Sequence, residues 1–297
     1  RNQLVLDLSN PEVQDFVYGV VDGLFTENPE LAFIKWDCNA PVFNAYSEYL
    51  NRNEIPQSHL YLDYVRGLYR VLERVREKYP DVPMMLCSGG GGRGDYEILK
   101  YFTEFWLSDD TDPLERIFMQ WDYSYFFPAI VSDCHVTNWG DQSLKYRVDV
   151  ASMGKLGFDI VASELSEDEM TFCKQAISSY NSFKDVVWHG DLYRLVNPHK
   201  NDFSSLMYVD EFQGRAVMFN YLVNNRFMLT ATEEPVQMDG LDPLKKYSIK
   251  ELNLFPGTRS RFRADKVYSG DYLMKVGINP VISLRRTSVV LELTEVP

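Results

Sequence analysis

Over its first 185 residues the chain alternates short β-like runs with amphipathic helical stretches, and polar residues gather just after each β-like run. A repeated strand–helix rhythm of this kind is the mark of a parallel α/β sheet. In a (β/α)8 barrel, the strand ends that carry those polar residues form the active-site face. After the apolar Leu4-Val5-Leu6-Asp7, Asn10-Pro11-Glu12 opens a helix over 10–24, with Val13, Phe16, Val17, Val20, Val21 and Leu24 at helical spacing. A strand at 31–36 follows, then a helix over 58–79 with Leu60, Tyr64, Leu68, Leu72 and Val75 on one stripe. The rhythm continues through strands at 83–87, 105–107, 129–132 and 157–161, with helices near 95–103, from Asp112, around 141–154 and from Ser166 to about Phe183. Asp112-Pro113 and the Ser166/Glu169 capping box are clear helix starts. Counted from 31–36, the chain supplies five strand–helix units, roughly strands 4–8 of an eight-stranded barrel, and the expectation is that a longer natural protein has been cut.

Past about residue 185 the texture changes. Strand patterns appear at 186–188, 205–209, 216–223, 245–251, 272–276 and 288–293, separated by turn signals such as Gln213-Gly214 and Asp239-Gly240. The expected organisation is therefore a partial (β/α)8 barrel over 1–185, followed by an all-β antiparallel domain, a sandwich, over 186–297.

Composition narrows the function. A formal charge of −13 repels phosphate backbones and argues against nucleic acid as a partner, while neutral substrates fit. No 18-residue apolar stretch is present to span a membrane, and no apolar segment follows a basic start as in a signal peptide. Cys38, Cys87, Cys134 and Cys173 lack C-x-x-C spacing and read as free thiols.

Two strand-end motifs carry acids: Phe33-Ile34-Lys35-Trp36-Asp37-Cys38-Asn39 and Leu107-Ser108-Asp109-Asp110-Thr111-Asp112. A sheet fixes the backbone at such positions while the side chain faces a cleft. Two carboxylates converging from different strands are the minimum equipment for hydrolysing a glycosidic bond. Asp112 reads best as a helix cap. Asp109 directly follows its strand, where partial burial and neighbouring negative charge favour the protonated form that a general acid needs. A metal site would require a His or a further acid at supporting spacing, which the motif lacks. Ser88-Gly89-Gly90-Gly91-Gly92-Arg93 has neither the G-K-[ST] ending of a phosphate loop nor dinucleotide spacing. Its glycines still let a backbone N–H approach a ligand closely, sugar hydroxyls included. His135 stands alone and reads as structural, and there is no G-x-S-x-G motif.

In order and spacing, Lys35-Trp36-Asp37-Cys38-Asn39, Cys87 through Arg93, and Ser108 through Asp112 resemble the signature blocks of the retaining α-galactosidases of glycoside hydrolase family 36. The opening Arg1-Asn2-Gln3-Leu4-Val5-Leu6-Asp7 resembles the segment before that family's nucleophile strand. The likeness is strong over 1–165 and looser over the β domain. It implies Asp37 as nucleophile and Asp109 as acid/base. It also implies Lys35 on the galactose hydroxyls, Cys87 near the 2-hydroxyl and Arg1 in the sugar pocket. Trp36, Asn39, Ser88 and Gly90 belong to the same substrate-lining blocks. No metal or organic cofactor is implied; galactosides are the partners, and the family is often tetrameric, so a homo-oligomer is expected. Terminal α-galactosides of the melibiose and raffinose type are the expected substrates. The alternatives are an α-N-acetylgalactosaminidase or galactosyltransferase of the same family, or a non-catalytic carbohydrate-binding fragment. Two departures bear on aglycone preference: Ala40 stands where many members have arginine, and Gly94 where phenylalanine is usual.

Overall fold

A computed structural model describes residues 5–39, 42–224, 234–263 and 265–297, so Arg1 and Ala40 lie outside the described residues. The chain divides into two units, Arg1–Asp109 and Asp110–Pro297.

In the first unit, α1 (Pro11–Glu27) starts where Asn10 accepts the Glu12 N–H at 3.0 Å and Pro11 takes the first turn. It buries Val21 and Phe25, whereas Phe16, Val20 and Leu24 of the expected stripe are exposed. Next come β1 (Ile34–Asp37), α2 (Glu48–Arg52) and α3 (Leu60–Lys78). The sequence stripe of α3 holds, since Leu60, Tyr64, Leu68, Leu72 and Val75 are all buried. Gly67 sits mid-helix because a Cβ there would lie 1.9 Å from the Leu8 carbonyl oxygen. That close approach explains a residue which otherwise costs a helix about 1 kcal/mol.

Parallel pairing joins β1 to β2 (Met84–Cys87) and β2 to β3 (Glu104–Trp106), with Lys35 opposite Met85, Asp37 opposite Cys87 and Met85 opposite Glu104. The helix expected near 95–103 is a single 3-10 turn at Ile98–Lys100. The glycine run uses up most of the connection. Asp95 then accepts the Ile98 N–H, and Thr103 already bonds to the Met84 carbonyl of β2.

The second unit opens with α4 (Pro113–Tyr123), capped by Asp112 as read, its Oδ1 accepting the Leu114 N–H at 2.8 Å. β4 (Ser132–Val136) begins where the strand expected at 129–132 ends, because Ala129–Val131 forms a 3-10 turn after Pro128. After α5 (Leu144–Ala151), β5 (Lys155–Phe158) pairs parallel with β4, two residues earlier than read. α6 (Glu167–His189) has the Ser166/Glu169 capping box and runs through Val186-Val187-Trp188, which was expected to be a strand. Phe183, Val186 and Val187 are buried at helical spacing, so the short apolar run continues the helix face.

The rest forms β6 (Asp191–Val196), β7 (Phe203–Val209), β8 (Arg215–Leu222), β9 (Lys246–Leu252), β10 (Val267–Ser269), α7 (Gly270–Lys275) and β11 (Ser288–Val296). The expected strand at 272–276 is mostly α7, which starts where the Ser269 hydroxyl accepts the Tyr272 N–H. Among the described residues the strands make one antiparallel sheet, ordered β10-β9-β11-β8-β7-β6, in place of two stacked sheets. Both of its faces are covered. Leu206, Tyr208, Val217 and Phe219 pack with Phe183 and Tyr146, while Met207, Ala216, Met218 and Leu291 pack with Leu241, Leu273 and Ile282.

Parallel α/β strands, three in the first unit and two in the second, thus precede an antiparallel domain, as the sequence led one to expect. No helix among the described residues is long and apolar enough to cross a membrane.

Candidate active site

Alternation along a strand, together with the pairing register, puts Lys35, Asp37, Met85, Cys87, Glu104 and Trp106 on one face of the first unit's sheet. Met85, Cys87 and Trp106 form its apolar floor. Lys35 holds its ammonium 5.2 Å from the centre of the Trp106 ring, within cation–π range.

Asp37 ends β1 and is exposed, with its Oδ2 accepting the Asn39 amide at 2.9 Å. The other end of that amide, Oδ1, accepts the Gly89 N–H at 2.6 Å. Asn39 is thus a two-ended brace between the acid and the glycine loop, and its orientation is fixed by having one donor and one acceptor to satisfy. Burial pushes the Cys87 thiol up; the Gly90 N–H and the Lys35 ammonium pull the other way, and the Asp37 carboxylate adds to the rise. These opposing influences place Lys35, Asp37 and Cys87 in one electrostatic neighbourhood.

The glycine loop is folded for close contact. Gly90 has φ +89°, and a Cβ there would lie 2.6 Å from the Ser108 Cα. Only glycine lets the loop press against the chain leaving β3. The Gly91 N–H donates to the Leu107 carbonyl at 3.0 Å, which closes the same contact. Ser88 gives its hydroxyl to the Cys38 carbonyl at 2.6 Å, tying the loop to the end of β1.

Asp109 lies three residues past β3, and its Oδ1 accepts the Trp106 indole N–H at 3.1 Å. Asp110 instead accepts the Asp112 N–H, a local turn contact, and Asp112 caps α4. Of the three clustered acids, Asp109 alone is left exposed at the end of its strand.

Trp36 faces differently from the acid beside it. One residue out of phase with Lys35 and Asp37, it lies on the other face of β1, its ring edge-on to Phe102 at 6.2 Å. Trp106, absent from the sequence reading of the site, shares the face of Lys35 and Asp37 by the same alternation read from Glu104. Asp37 and Asn39 open on a cavity of about 420 Å³ that Leu6, Trp36, Tyr64 and Arg93 also line. His135 lies 3.4 Å from Asp133 on β4, with its ring against Gly157. The four cysteines are free thiols. Among the described residues no group of three or more His, Cys, Asp or Glu side chains is placed to hold a metal.

Exposed acids at the ends of parallel strands, on an α/β scaffold followed by an antiparallel β domain, are the ground plan of a glycoside hydrolase. The chain belongs to glycosyl hydrolase family 36: residues 1–190 match the family described as Melibiase, and 203–293 match the family 36 C-terminal domain. It is 32% identical to Alpha-galactosidase 2 of Hypocrea jecorina over 284 residues, which covers 93% of this chain and 36% of that protein. It is also similar to crystal structures of variants of the α-galactosidase AgaA from Geobacillus stearothermophilus. In complex with stachyose the TM-score is 0.86 at 28% identity, and with raffinose 0.83 at 27%. Each comparison covers 99% of this chain and 40% of that one. The chain spans about a third of the length of the curated relatives it matches.

Proposed function

We propose that the chain carries the catalytic acids of a retaining exo-α-galactosidase acting on terminal α-galactosides such as those of melibiose and raffinose-type sugars. The observation that supports this most directly is the pair of exposed strand-end carboxylates, Asp37 braced by Asn39 and Asp109 held by Trp106. Asp37 attacks the anomeric carbon while Asp109 protonates the departing oxygen, leaving a β-galactosyl ester on Asp37. Asp109, now a carboxylate, takes a proton from water, which cleaves the ester and restores the α configuration. Lys35 and Cys87 border the nucleophile and orient the sugar hydroxyls, a role that the family resemblance also gives to Arg1. Gly90 shapes the loop that presents its backbone beside them. The catalytic part corresponds to residues 1–185, and the antiparallel domain to 186–297.

The test is nitrophenol release from p-nitrophenyl α-galactoside, compared with its N-acetylgalactosamine counterpart. Preference for the galactoside, with retained configuration of the first-formed sugar, is the expected result. Preference for the N-acetylated substrate, or an inverted product, removes the proposal.

A further inference from the structure

Asp109 is exposed, yet the backbone on either side of it is held. Upstream, the Leu107 carbonyl accepts the Gly91 N–H at 3.0 Å. Downstream, the Asp110 carbonyl accepts Nε of Arg116 at 2.7 Å. We propose that Arg116, helped by Thr137, is a positioning residue for Asp109, fixing the course of residues 110–112 so that the acid meets the departing oxygen. This rests on the α-galactosidase reading and adds to it residues that touch neither acid's carboxyl group.

The reach of Arg116 follows from helix geometry. It lies one turn into α4, where its own N–H bonds the Asp112 carbonyl at 2.9 Å. Side chains on a helix lean towards its N-terminus, so the guanidinium turns back over the segment that leads into α4. Arg116 is 4% exposed. Arginine is almost never buried so deeply unless its donors are engaged, and a hydrogen bond from a charged donor is stronger than a neutral one. The Asp110 carbonyl is one residue beyond Asp109, so a donor fixed on it sets the direction in which the chain leaves the acid.

The loop after β4 completes the hold. Thr111 and Thr137, both buried, share a hydrogen bond between their hydroxyls at 2.8 Å. The Thr137 carbonyl in turn accepts Nη1 of Arg147 on α5 at 2.6 Å. Gly140 has φ +73°, and a Cβ there would lie 2.6 Å from Oδ2 of Asp112, so the same loop presses on the helix cap. A general acid has to lie within hydrogen-bond reach of the oxygen it protonates, and a displacement of about 1 Å can cost about a hundredfold in rate. An exposed carboxyl is not held by packing around it, which leaves its aim to the backbone that carries it.

The experiment measures kcat/KM of the 297-residue chain on melibiose and on p-nitrophenyl α-galactoside, together with hydrogen exchange at the tryptophan indoles. Nitrophenolate leaves with little need of a proton, whereas the glucose of melibiose needs one, so misplacing the acid separates the two substrates. Arg116→Met should lower kcat/KM on melibiose about ten- to a hundredfold and leave the nitrophenyl substrate within about threefold. The Trp106 indole, which donates to Asp109, should exchange about fivefold faster. The Trp188 indole, bonded to the Tyr180 hydroxyl at 3.1 Å, should not change. Arg116→Lys keeps a cationic donor and should recover most of both losses. Thr137→Val, of the same shape without the hydroxyl, should show the same split at about fivefold, so the test does not depend on Arg116→Met folding. Equal losses on the two substrates, or Trp106 and Trp188 exchanging faster together, would mean a structural role and overturn the proposal. Unchanged melibiose turnover and Trp106 exchange in both variants would overturn it too. A parent chain that cleaves neither substrate, with Trp106 exchange alone quickened in Arg116→Met, would sink the α-galactosidase reading and leave the hold on Asp109 standing.

Discussion

Parallel strands in the first unit are three or four residues long, and β1 ends in Asp37, which is exposed together with Lys35 on the face they share. The strands β7, β8, β9 and β11 of the antiparallel sheet run seven to nine residues, and β7 and β8 bury nearly every side chain on both faces. The first arrangement spends its backbone on connections. A short strand fixes one or two side chains and hands the chain to a loop, and loops on a rigid scaffold are where binding groups collect. The second spends its backbone on burial, at roughly 25 cal/mol for each Å² of apolar surface removed from water. Chemistry and stability are therefore expected to respond to different substitutions.

The largest effect should come from Asp37→Ala. Turnover of p-nitrophenyl α-galactoside is expected to be abolished, with the denaturation midpoint unchanged. Azide should partly restore turnover and yield a β-galactosyl azide, the anion entering from the vacated face. Near-normal turnover would remove Asp37 from its role. A melted variant would break the separation of chemistry from stability.

The converse substitution is Asp149→Ala. Asp149 is fully buried on α5, pairs with Lys145, and accepts from Ser288 Oγ of β11 at 2.7 Å and Asn253 Nδ2 at 2.8 Å. Its backbone carbonyl takes the Tyr221 hydroxyl at 2.8 Å. Removing the carboxylate strands a cation and two polar groups, at a cost of about 3–5 kcal/mol. Chemical denaturation should show that loss, and a change under about 1 kcal/mol would mean the network relaxes around water.

High pH should weaken the second unit. Burial pushes the Cys134 thiol and the Tyr180 phenol up to about 12, and it holds the Tyr208 and Tyr221 phenols above their ordinary range. In the unfolded chain these groups ionise near 9.0 and 10.0, so above those values the unfolded state sheds protons that the folded state keeps. Their contribution is intact below about pH 9 and falls as the pH climbs towards 12. Guanidinium titrations between pH 8 and 11 should show a declining midpoint, and Tyr180→Phe should flatten the decline. A flat profile in the parent chain would show that these groups ionise without unfolding.

The smallest effect concerns the brace. Asn39→Ala removes the hydrogen bonds to Asp37 and to the Gly89 N–H without touching either acid. A loss of about tenfold in kcat/KM is expected, the worth of one hydrogen bond to a charged group. Asn39→Asp should do worse, since it replaces the donor facing Asp37 with a second negative charge. Equal activity in the two variants would reduce Asn39 to a loop contact.

Much of this was legible in the sequence because it depends on local chemistry. Asn10, Asp112 and Ser166 cap helices where their side chains reach backbone N–H groups two or three residues on, and no distant contact is needed to see it. The strand-end positions of Asp37 and Asp109, and the glycine run between them, follow from short apolar runs stopped by polar residues. Other features were decided only by the tertiary structure. Val186-Val187-Trp188 is as apolar as a strand, and only packing beside Phe183 makes it helix. Residues 272–275 belong to α7 rather than a strand because Leu273 finds a fully buried place there. The side of β1 to which Trp36 belongs is fixed by register with β2, a pairing between residues some fifty positions apart. The bond from the Gly89 N–H to Asn39 likewise exists only once β1 and β2 lie side by side. Caps and turns are set within a few residues, whereas facing and burial depend on which distant segment arrives to cover them.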